Sequence, residues 1–239
     1  MVDNDAFLAP KLTLYQQDRF TPRSGILRAL NSQLPHFHGT FLDIGCGSQP
    51  YRSLITAPPA RVEQYVGMDL EGNPVSGYLH VRPDLFWNGL HIPLEDASVD
   101  SAMATEVLEH CPDPAVVLQE AFRVLRPGGF LFLTVPFLWP LHDVPYDEYR
   151  YTPFAMERLL KSAGFGDVTL TPLGGWNASL AQMLALWAVR SPMSSLARKV
   201  STRVTRPIVA WLLKRDRIPD PMTNPMITGL MGTARKPAA

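Results

Sequence analysis

The sequence FLDIGCG at residues 41–47 and the sequence YVGMD at residues 65–69 decide the fold of this chain. Each begins as an apolar run, which predicts a buried strand of a parallel sheet. The first run breaks at Gly45 and Gly47, where the backbone can come close to a ligand, and the second ends in the carboxylate of Asp69. In a doubly wound sheet both features lie at the carboxyl ends of neighbouring strands, so we expect a nucleoside to bind across them.

The residues around the glycine turn indicate which nucleoside binds. A dinucleotide site has a third glycine where this chain has Pro50, and the carboxylate of Asp43 would repel a pyrophosphate. S-adenosylmethionine carries an ammonium group and a ribose diol but no phosphate. We therefore expect Asp43 near its amino acid end and Asp69 on its ribose hydroxyls, with the two glycines between them. A nicotinamide-dependent oxidoreductase is disfavoured for the same reasons.

Further segments follow these two strands in a fixed order: IPLEDASVD at residues 92–100, TEVLEH at 105–110, RVLRPGG at 123–129 and an apolar run at 130–135. Over about residues 38–172 the chain resembles the class I S-adenosylmethionine-dependent methyltransferases. The resemblance implies an α/β fold, a Rossmann-like, seven-stranded and mostly parallel sheet with helices on both faces. It also implies that the last strand inserts antiparallel beside the sixth.

The resemblance implies weaker contacts with the cofactor as well. By spacing, Asn88 takes a position where many relatives have an aspartate, and its amide is expected to hydrogen-bond the adenine. Thr105 or Glu106, at the end of the predicted fourth strand, is a further expected contact.

Two histidines lie where a general base is expected. A hydroxyl acceptor must lose its proton as the new bond forms, so a base should follow the fourth or the fifth strand. We predict His142 as this base, with Asp143 orienting its ring. His110, after the fourth strand, is more typical of a polar group near the cofactor and substrate. No metal is expected, because an adjacent histidine and aspartate make a poor site.

The loop at residues 136–152 concentrates further polar and aromatic side chains. It resembles a subgroup of the same methyltransferases that is often found with glycan or lipid assembly. Tyr149 and Arg150 are expected to clamp an acidic or sugar-like acceptor, although Arg150 is equally suited to an internal ion pair with Asp147 or Glu148. Trp139 is either a hydrophobic lid or part of the packing.

The helical and strand patterns divide one domain of 239 residues into an N-terminal arm and helix at 1–37, a cofactor-binding core at 38–172 and a basic helical insert at 176–218. A helix is expected to start at Thr21-Pro22 and another to stop at Gly128-Gly129. The strands are expected near 40–44, 64–68, 78–82, 99–104, 130–135, 167–172 and 227–234.

The net charge of zero hides an asymmetry. Residues 177–217 contain eight basic residues and one acidic residue, which leaves 14 basic against 21 acidic residues elsewhere. The insert is either a solvated hairpin covering the active site or a peripheral contact with an anionic membrane. Nucleic acid is not expected as a partner, because the body is acidic and nothing else resembles an RNA-binding module.

We therefore predict an S-adenosylmethionine-dependent methyltransferase that methylates a hydroxyl of a small or lipid-linked, sugar-like acceptor. The N-terminus has no signal peptide and no apolar run reaches the length needed to span a bilayer, so a cytoplasmic protein, peripheral at the inner membrane face where the insert binds, is expected. The alternative is a non-catalytic protein that binds the cofactor and acts as a partner or membrane adaptor.

Overall fold

A computed structural model describes residues 5–71, 81–223 and 226–238. Its strands are β1 (His38–Ile44), β2 (Arg61–Leu70), β3 (Leu85–Trp87), β4 (Val99–Thr105), β5 (Leu125–Pro136), β6 (Gly166–Pro172) and β7 (Gly229–Arg235). Its α-helices are α1 (Asp5–Leu8), α2 (Gln17–Gln33), α3 (Arg52–Ile55), α4 (Pro114–Val124), α5 (Pro153–Ser162), α6 (Trp176–Arg190) and α7 (Ser195–Lys214).

The strands form one seven-stranded sheet in the order β3-β2-β1-β4-β5-β7-β6. The pairs from β3 to β5 are parallel, whereas β7 lies antiparallel between β5 and β6. The predicted fold class is therefore confirmed. The strand order reverses between β1 and β4, and in doubly wound sheets this reversal opens a crevice at the carboxyl ends of the strands.

Both faces of the sheet are apolar and covered by helices. Successive side chains of β1 and β4 alternate between two cores, as side chains of a strand must. Phe41 and Met103 belong to one core with residues of α2. Leu42 and Ala102 belong to the other with residues of α4 and α5. Because both faces of the central strands are buried, the ends of the strands are the places where polar residues can meet a ligand.

Several local boundaries differ from the prediction. Helix α2 begins at Gln17, with Pro22 inside it, rather than at Thr21-Pro22. Gly128 and Gly129 lie within β5 and do not end α4, because the backbone is already extended at Leu125. Of the strand predicted near 78–82, residues 78–80 lie outside the described residues and 81–82 are not in a strand; the third strand is β3.

Helices α6 and α7 connect β6 to β7. They pack on each other through a small apolar cluster that contains Ala181, Ala185, Val209 and Leu212. Asp216, after α7, accepts hydrogen bonds from two backbone N–H groups at the start of α6, at 2.9 Å each. A carboxylate at this place satisfies unpaired donors and complements the positive end of the helix dipole. Within the described ranges, no helix is long and apolar enough to cross a membrane.

Candidate active site

A cavity of about 1240 Å³ opens at the carboxyl ends of β1, β2 and β4. It lies at the reversal of strand order, where a ligand site is expected in this fold. Most of the side chains that the sequence predicted as functional line it: Asp43, Gly45, Gly47, Asp69, Asn88, Thr105, Glu106, His110, Trp139, His142 and Asp143. The topology therefore gathers residues that are up to 100 positions apart in the chain.

Asp43 is buried at the end of β1, and only one of its two carboxylate oxygens accepts a hydrogen bond from the described residues. The hydroxyl of Tyr65 donates to Oδ2, while Oδ1 is buried and has no partner among the described residues. Burial raises the pKa of Asp43 to about 7. A buried carboxylate oxygen without a partner is costly, and an ammonium group placed against it would remove that cost. Asp43 thus fits the amino acid end of S-adenosylmethionine.

The glycine turn after β1 fixes Asp69 at the end of β2. The Gly47 N–H donates to Asp69 Oδ2 and the Leu70 N–H donates to Oδ1, both at 2.7 Å. Carboxylate oxygens that line the cavity are acceptors that suit ribose hydroxyls. Gly47 has φ +50°, and a Cβ built there meets no atom of the described chain within 4 Å, so its open side can receive a ligand.

Asn88 and Glu106 lie farther along the same cavity. Asn88 Oδ1 accepts hydrogen bonds from the Leu90 and His91 N–H groups, each at 2.9 Å. Its NH₂ group is the part that suits adenine, and this contact stays a prediction, as does one through the neighbouring Thr105. Glu106 Oε1 accepts from Thr134 Oγ1 at 2.8 Å, and burial raises the pKa of Glu106 to about 7.

His142 is held by Asp147 and not by Asp143, which corrects the expected pairing. His142 Nδ1 lies 3.0 Å from Asp147 Oδ2, and the backbone N–H of His142 donates to the same oxygen at 3.1 Å. Asp143 has φ +50° and makes no hydrogen bond to this ring among the described residues. The backbone therefore folds back so that the carboxylate five residues later, rather than the adjacent one, reaches the imidazole.

Burial favours the neutral form of the His142 ring. Burial lowers the pKa of His142 below its ordinary value, and His110 acts in the same direction. Together they outweigh the negative charge of Asp147, which acts to raise that pKa. Although burial acts to raise it, the pKa of Asp147 is held below its ordinary value by hydrogen bonds from Arg150 and from the His142 N–H. With Nδ1–H donating to Asp147, the other ring nitrogen, Nε2, is an acceptor at neutral pH.

Arg150 and Tyr149 are part of the loop framework. Arg150 forms a bidentate ion pair with Asp147, at 2.6 and 2.7 Å, and also donates to the Trp139 carbonyl at 3.2 Å. Tyr149 donates its hydroxyl to the Pro112 carbonyl at 3.1 Å. Neither residue is among the described residues that line the cavity, whereas Trp139 and His110 are; contact of any of the four with the acceptor stays a prediction. Of the two roles weighed for Arg150, the structure shows the internal ion pair.

A buried carboxyl group lies beside the two histidines. The rings of His110 and His142 are 4.7 Å apart, and His110 Nδ1 lies 2.9 Å from the Tyr146 carbonyl oxygen. Glu109 is fully buried, both of its carboxylate oxygens lack partners within the described chain, and burial raises its pKa well above the ordinary value. One donor atom from each of these three side chains lies within 4.8 Å of the others. Such a set could bind a divalent cation; the expected absence of a metal stays a prediction.

Two cavity residues come from α6 and were missed by the sequence reasoning. Gln182 donates to the Leu138 carbonyl at 2.9 Å, and the guanidinium of Arg190 lies 4.6 Å from the centre of the Trp139 ring. Arg190 also pairs with Asp18 of α2 at 2.8 Å. These contacts join segments far apart in sequence, and no local pattern marks them. Tyr65 and Asp147 were missed as well, although the Asp147–Arg150 spacing was noted as a candidate ion pair.

Residues 42–133 match a protein-family model described as a methyltransferase domain. Over these residues the chain is similar to methyltransferase domains. A probable S-adenosylmethionine-dependent methyltransferase of Mycolicibacterium smegmatis is 34% identical over 136 residues, which are 52% of this chain and 51% of that protein. A trans-aconitate 2-methyltransferase of an Azoarcus species is 31% identical over 157 residues, 62% of this chain and 59% of that protein. The chain spans about half the length of the curated relatives it matches.

The chain also has its fold in common with solved structures. A possible histamine N-methyltransferase from Thermotoga maritima superposes with a TM-score of 0.59 at 14% identity, covering 93% of this chain and 92% of that one. A putative methyltransferase in complex with the Haloferax volcanii Trm112 activator gives 0.59 at 18% identity, covering 94% and 95%. The predicted fold is thus confirmed and the family match supports the predicted methyltransferase, whereas the glycan or lipid subgroup stays a prediction.

Proposed function

We propose that the protein is an S-adenosylmethionine-dependent methyltransferase that methylates a hydroxyl oxygen. One observation carries the proposal: a single cavity joins the half-paired carboxylate of Asp43 and the cradle of Asp69 to a neutral histidine held by Asp147. The cofactor supplies a methyl group that is already activated on a sulfonium. The names of the relatives support S-adenosylmethionine as the cofactor, and the relatives whose names state an activity are methyltransferases.

The chain's own residues hold the cofactor at three points. Asp43 Oδ1 takes the ammonium group, which converts a costly buried oxygen into an ion pair. The open side of Gly47 receives the middle of the molecule. Asp69, which lines the cavity and is fixed by two backbone N–H groups, accepts from the ribose hydroxyls with its carboxylate oxygens. These contacts would hold the methyl group in the cavity, where positioning is the main source of catalysis.

His142 is proposed as the base for the acceptor. Its Nε2 is unprotonated at neutral pH, and Asp147 fixes the ring from the opposite side. A hydroxyl placed at Nε2 passes its proton to the ring while its oxygen takes the methyl group, and general-base help of this kind is worth about 10²–10⁴-fold. An acceptor hydroxyl, more than an amine with a free lone pair, needs such a base.

The size of the cavity supports a second molecule beside the cofactor. Its volume of about 1240 Å³ exceeds the roughly 300–1,000 Å³ of ordinary ligand pockets. We propose a small or lipid-linked, sugar-like acceptor in the remaining part, next to Trp139 and His110. A relative from Paracidovorax citrulli, 31% identical over 102 residues, is named as an O-methyltransferase of ubiquinone biosynthesis, which supports oxygen as the methylated atom. A protein that only binds the cofactor is not favoured, because this cavity also holds a candidate base.

Calorimetric titration with S-adenosylmethionine and, separately, with NAD tests the cofactor. We expect binding of S-adenosylmethionine alone, weakened at least about tenfold in Asp69→Asn, because a hydrogen bond to a charged group is worth about 1.5–3 kcal/mol. Glu71→Gln, at an exposed acidic residue two positions later, is the matched control and should bind normally. Binding of NAD instead would refute the proposal.

Formation of S-adenosylhomocysteine with a panel of hydroxyl and amine acceptors tests the reaction. Turnover on a hydroxyl acceptor that is lost in His142→Ala, while cofactor affinity is kept, is the expected result. Turnover that survives this substitution would remove the histidine from the mechanism.

A further inference from the structure

The outer faces of α6 and α7 are unusually apolar for a surface. Exposed side chains on α6 recur at positions i, i+4, i+7 and i+11, and those on α7 at i, i+4, i+8, i+12 and i+15, so each set forms one stripe along its helix. The two stripes consist of Trp176, Leu180, Met183 and Trp187 on α6, and Leu196, Val200, Val204, Ile208 and Trp211 on α7. We call these nine residues the outer ridge.

The outer ridge is not needed to hold the two helices together. Ala181 and Ala185 of α6 and Val209 and Leu212 of α7 form the buried contact between them, on the opposite sides of the helices. Leu196 is 71% exposed and Trp176 is 67% exposed. Large apolar side chains exposed in stripes, and not needed for the packing of their helices, mark an interaction site.

Basic side chains accompany the outer ridge along α7 and beyond its end. Exposed cations are Lys199, Arg203, Arg206, Lys214, Arg215 and Arg217. No acidic residue occurs between positions 195 and 215 in the sequence. Of the two acids that follow, Asp216 is engaged at the N-terminus of α6 and Asp220 lies beyond Arg217. The exposed charged residues at positions 195–217 are therefore all basic.

We infer that the outer ridge of α6 and α7 docks on an anionic phospholipid bilayer. Helices with an apolar stripe, tryptophan among its members and flanking lysine and arginine lie in the bilayer interface and are attracted by anionic headgroups. Lys199 and Arg203 can extend their charged ends to the phosphates while their stems follow the apolar surface. A second copy of the chain fits less well, because pairing two such surfaces would bring like charges together.

Two other residues of α6 connect this helix to the cavity. Gln182 and Arg190 line the cavity, and Arg190 stacks on Trp139 at 4.6 Å. Docking would therefore bring the cavity close to the headgroup layer, where a lipid-linked acceptor is held. This consequence rests on the proposed function, whereas docking itself does not.

Co-sedimentation of the full chain with vesicles tests the inference. The probes are vesicles of phosphatidylcholine alone and vesicles of phosphatidylcholine and phosphatidylglycerol in equal parts. The first variant combines Lys199→Gln, Arg203→Gln and Lys214→Gln; its control, with the same change of net charge, combines Arg61→Gln, Arg158→Gln and Lys161→Gln. A second variant combines Val200→Ser, Val204→Ser and Ile208→Ser, and Phe154→Ser on the exposed surface of α5 is its control.

We expect binding to the anionic vesicles, weakened by added salt. The first variant should lose roughly a hundredfold in partition coefficient, since each basic residue near an anionic surface contributes about fivefold. The second should lose at least about tenfold, and both controls should bind normally. Thermal melting and calorimetric binding of S-adenosylmethionine on the same preparations check the fold. Vesicle binding without cofactor binding would defeat the proposed function and leave docking intact.

Two results would overturn the inference. The first is equal binding to both kinds of vesicle with no effect of the first variant. The second is failure of the unmodified chain to bind either kind. If light scattering then shows a dimer that the second variant dissociates, the outer ridge is a contact between copies of this chain.

Discussion

Replacing Asp147 by asparagine tests whether this carboxylate keeps His142 ready to accept a proton. Asp147 is almost fully buried and accepts hydrogen bonds from the ring and backbone of His142 and twice from Arg150. Asparagine keeps the shape but loses the charge and one acceptor oxygen. A hydrogen bond to a charged group is worth about 1.5–3 kcal/mol, so the loss of the His142 contact alone predicts a fall in kcat/KM of roughly ten- to a hundredfold.

The pH dependence separates this role from a structural one. Asp147 acts to raise the pKa of His142, against the larger effect of burial. Removing its charge lowers that pKa further, and a base is active only above its pKa. The acid limb of kcat/KM for the acceptor should therefore move to lower pH in Asp147→Asn, while the plateau falls.

Rates of S-adenosylhomocysteine formation between pH 5 and pH 9 provide the measurement. Asp143→Asn is the matched control, and we expect it to keep its plateau because Asp143 does not hold the ring. Arg150 retains its hydrogen bonds to backbone carbonyls in Asp147→Asn. The loss of unfolding free energy should therefore be about 2 kcal/mol, below the ~3–5 kcal/mol that breaking a buried ion pair costs. The reasoning fails if Asp143→Asn is the impaired variant or if the acid limb does not move.

Three further predictions follow from the cavity. Asp43→Asn should weaken S-adenosylmethionine binding measured by calorimetry, and it should stabilise the cofactor-free protein. Because burial raises the pKa of Asp43 from 3.8 to about 7 in the native state, the wild type loses stability as the pH rises through that window. Urea unfolding should therefore show the gain in stability of Asp43→Asn at pH 8 and not at pH 3. An equal gain at both pH values would contradict this origin. Gly45→Ala should lower the melting temperature, since φ is +67° and the new Cβ would lie 2.6 Å from Val107. Gly47→Ala should fold, at a smaller cost for its φ of +50°, and bind the cofactor poorly. A larger loss of stability in Gly47→Ala and a larger loss of cofactor binding in Gly45→Ala would refute the assignment of Gly47 to the cofactor. Zinc ions should inhibit turnover, reversibly with a chelator, by binding Glu109, His110 and His142 and occupying the base; activation by zinc would instead show that the cluster is a working metal site.

The cofactor end of the site was predictable because its determinants are local. An apolar strand followed at once by glycines and a carboxylate fixes where Asp43 and Asp69 lie, whatever the rest of the chain does. The sheet places the ends of β1 and β2 side by side, with Asp43 paired to Gly67 in register. Sequence reasoning therefore placed these residues at one site, where both line the cavity, without knowing any distance between them.

The acceptor end was less predictable because loop geometry decides it. Sequence adjacency favoured Asp143 as the partner of His142, but a backbone turn with φ +50° at Asp143 brings Asp147 to the ring instead. Gln182 and Arg190 come from α6 and reach the cavity through contacts with Leu138 and Trp139 that only the folded chain creates. The spacing of apolar residues, from which helices and strands are predicted, carries no information about such contacts.

The basic segment shows how structure changes the meaning of a composition. By sequence alone, Asp216 offsets one of eight cations in residues 177–217. In the fold its carboxylate accepts hydrogen bonds from two backbone N–H groups at the start of α6. Its charge therefore interacts with the N-terminus of that helix and not with the outer surface. The cations around the outer ridge are thus less compensated than the residue count implied. Because an anionic bilayer responds to the exposed charge beside an apolar stripe, and not to the net charge of a segment, this placement favours membrane docking over a merely solvated hairpin.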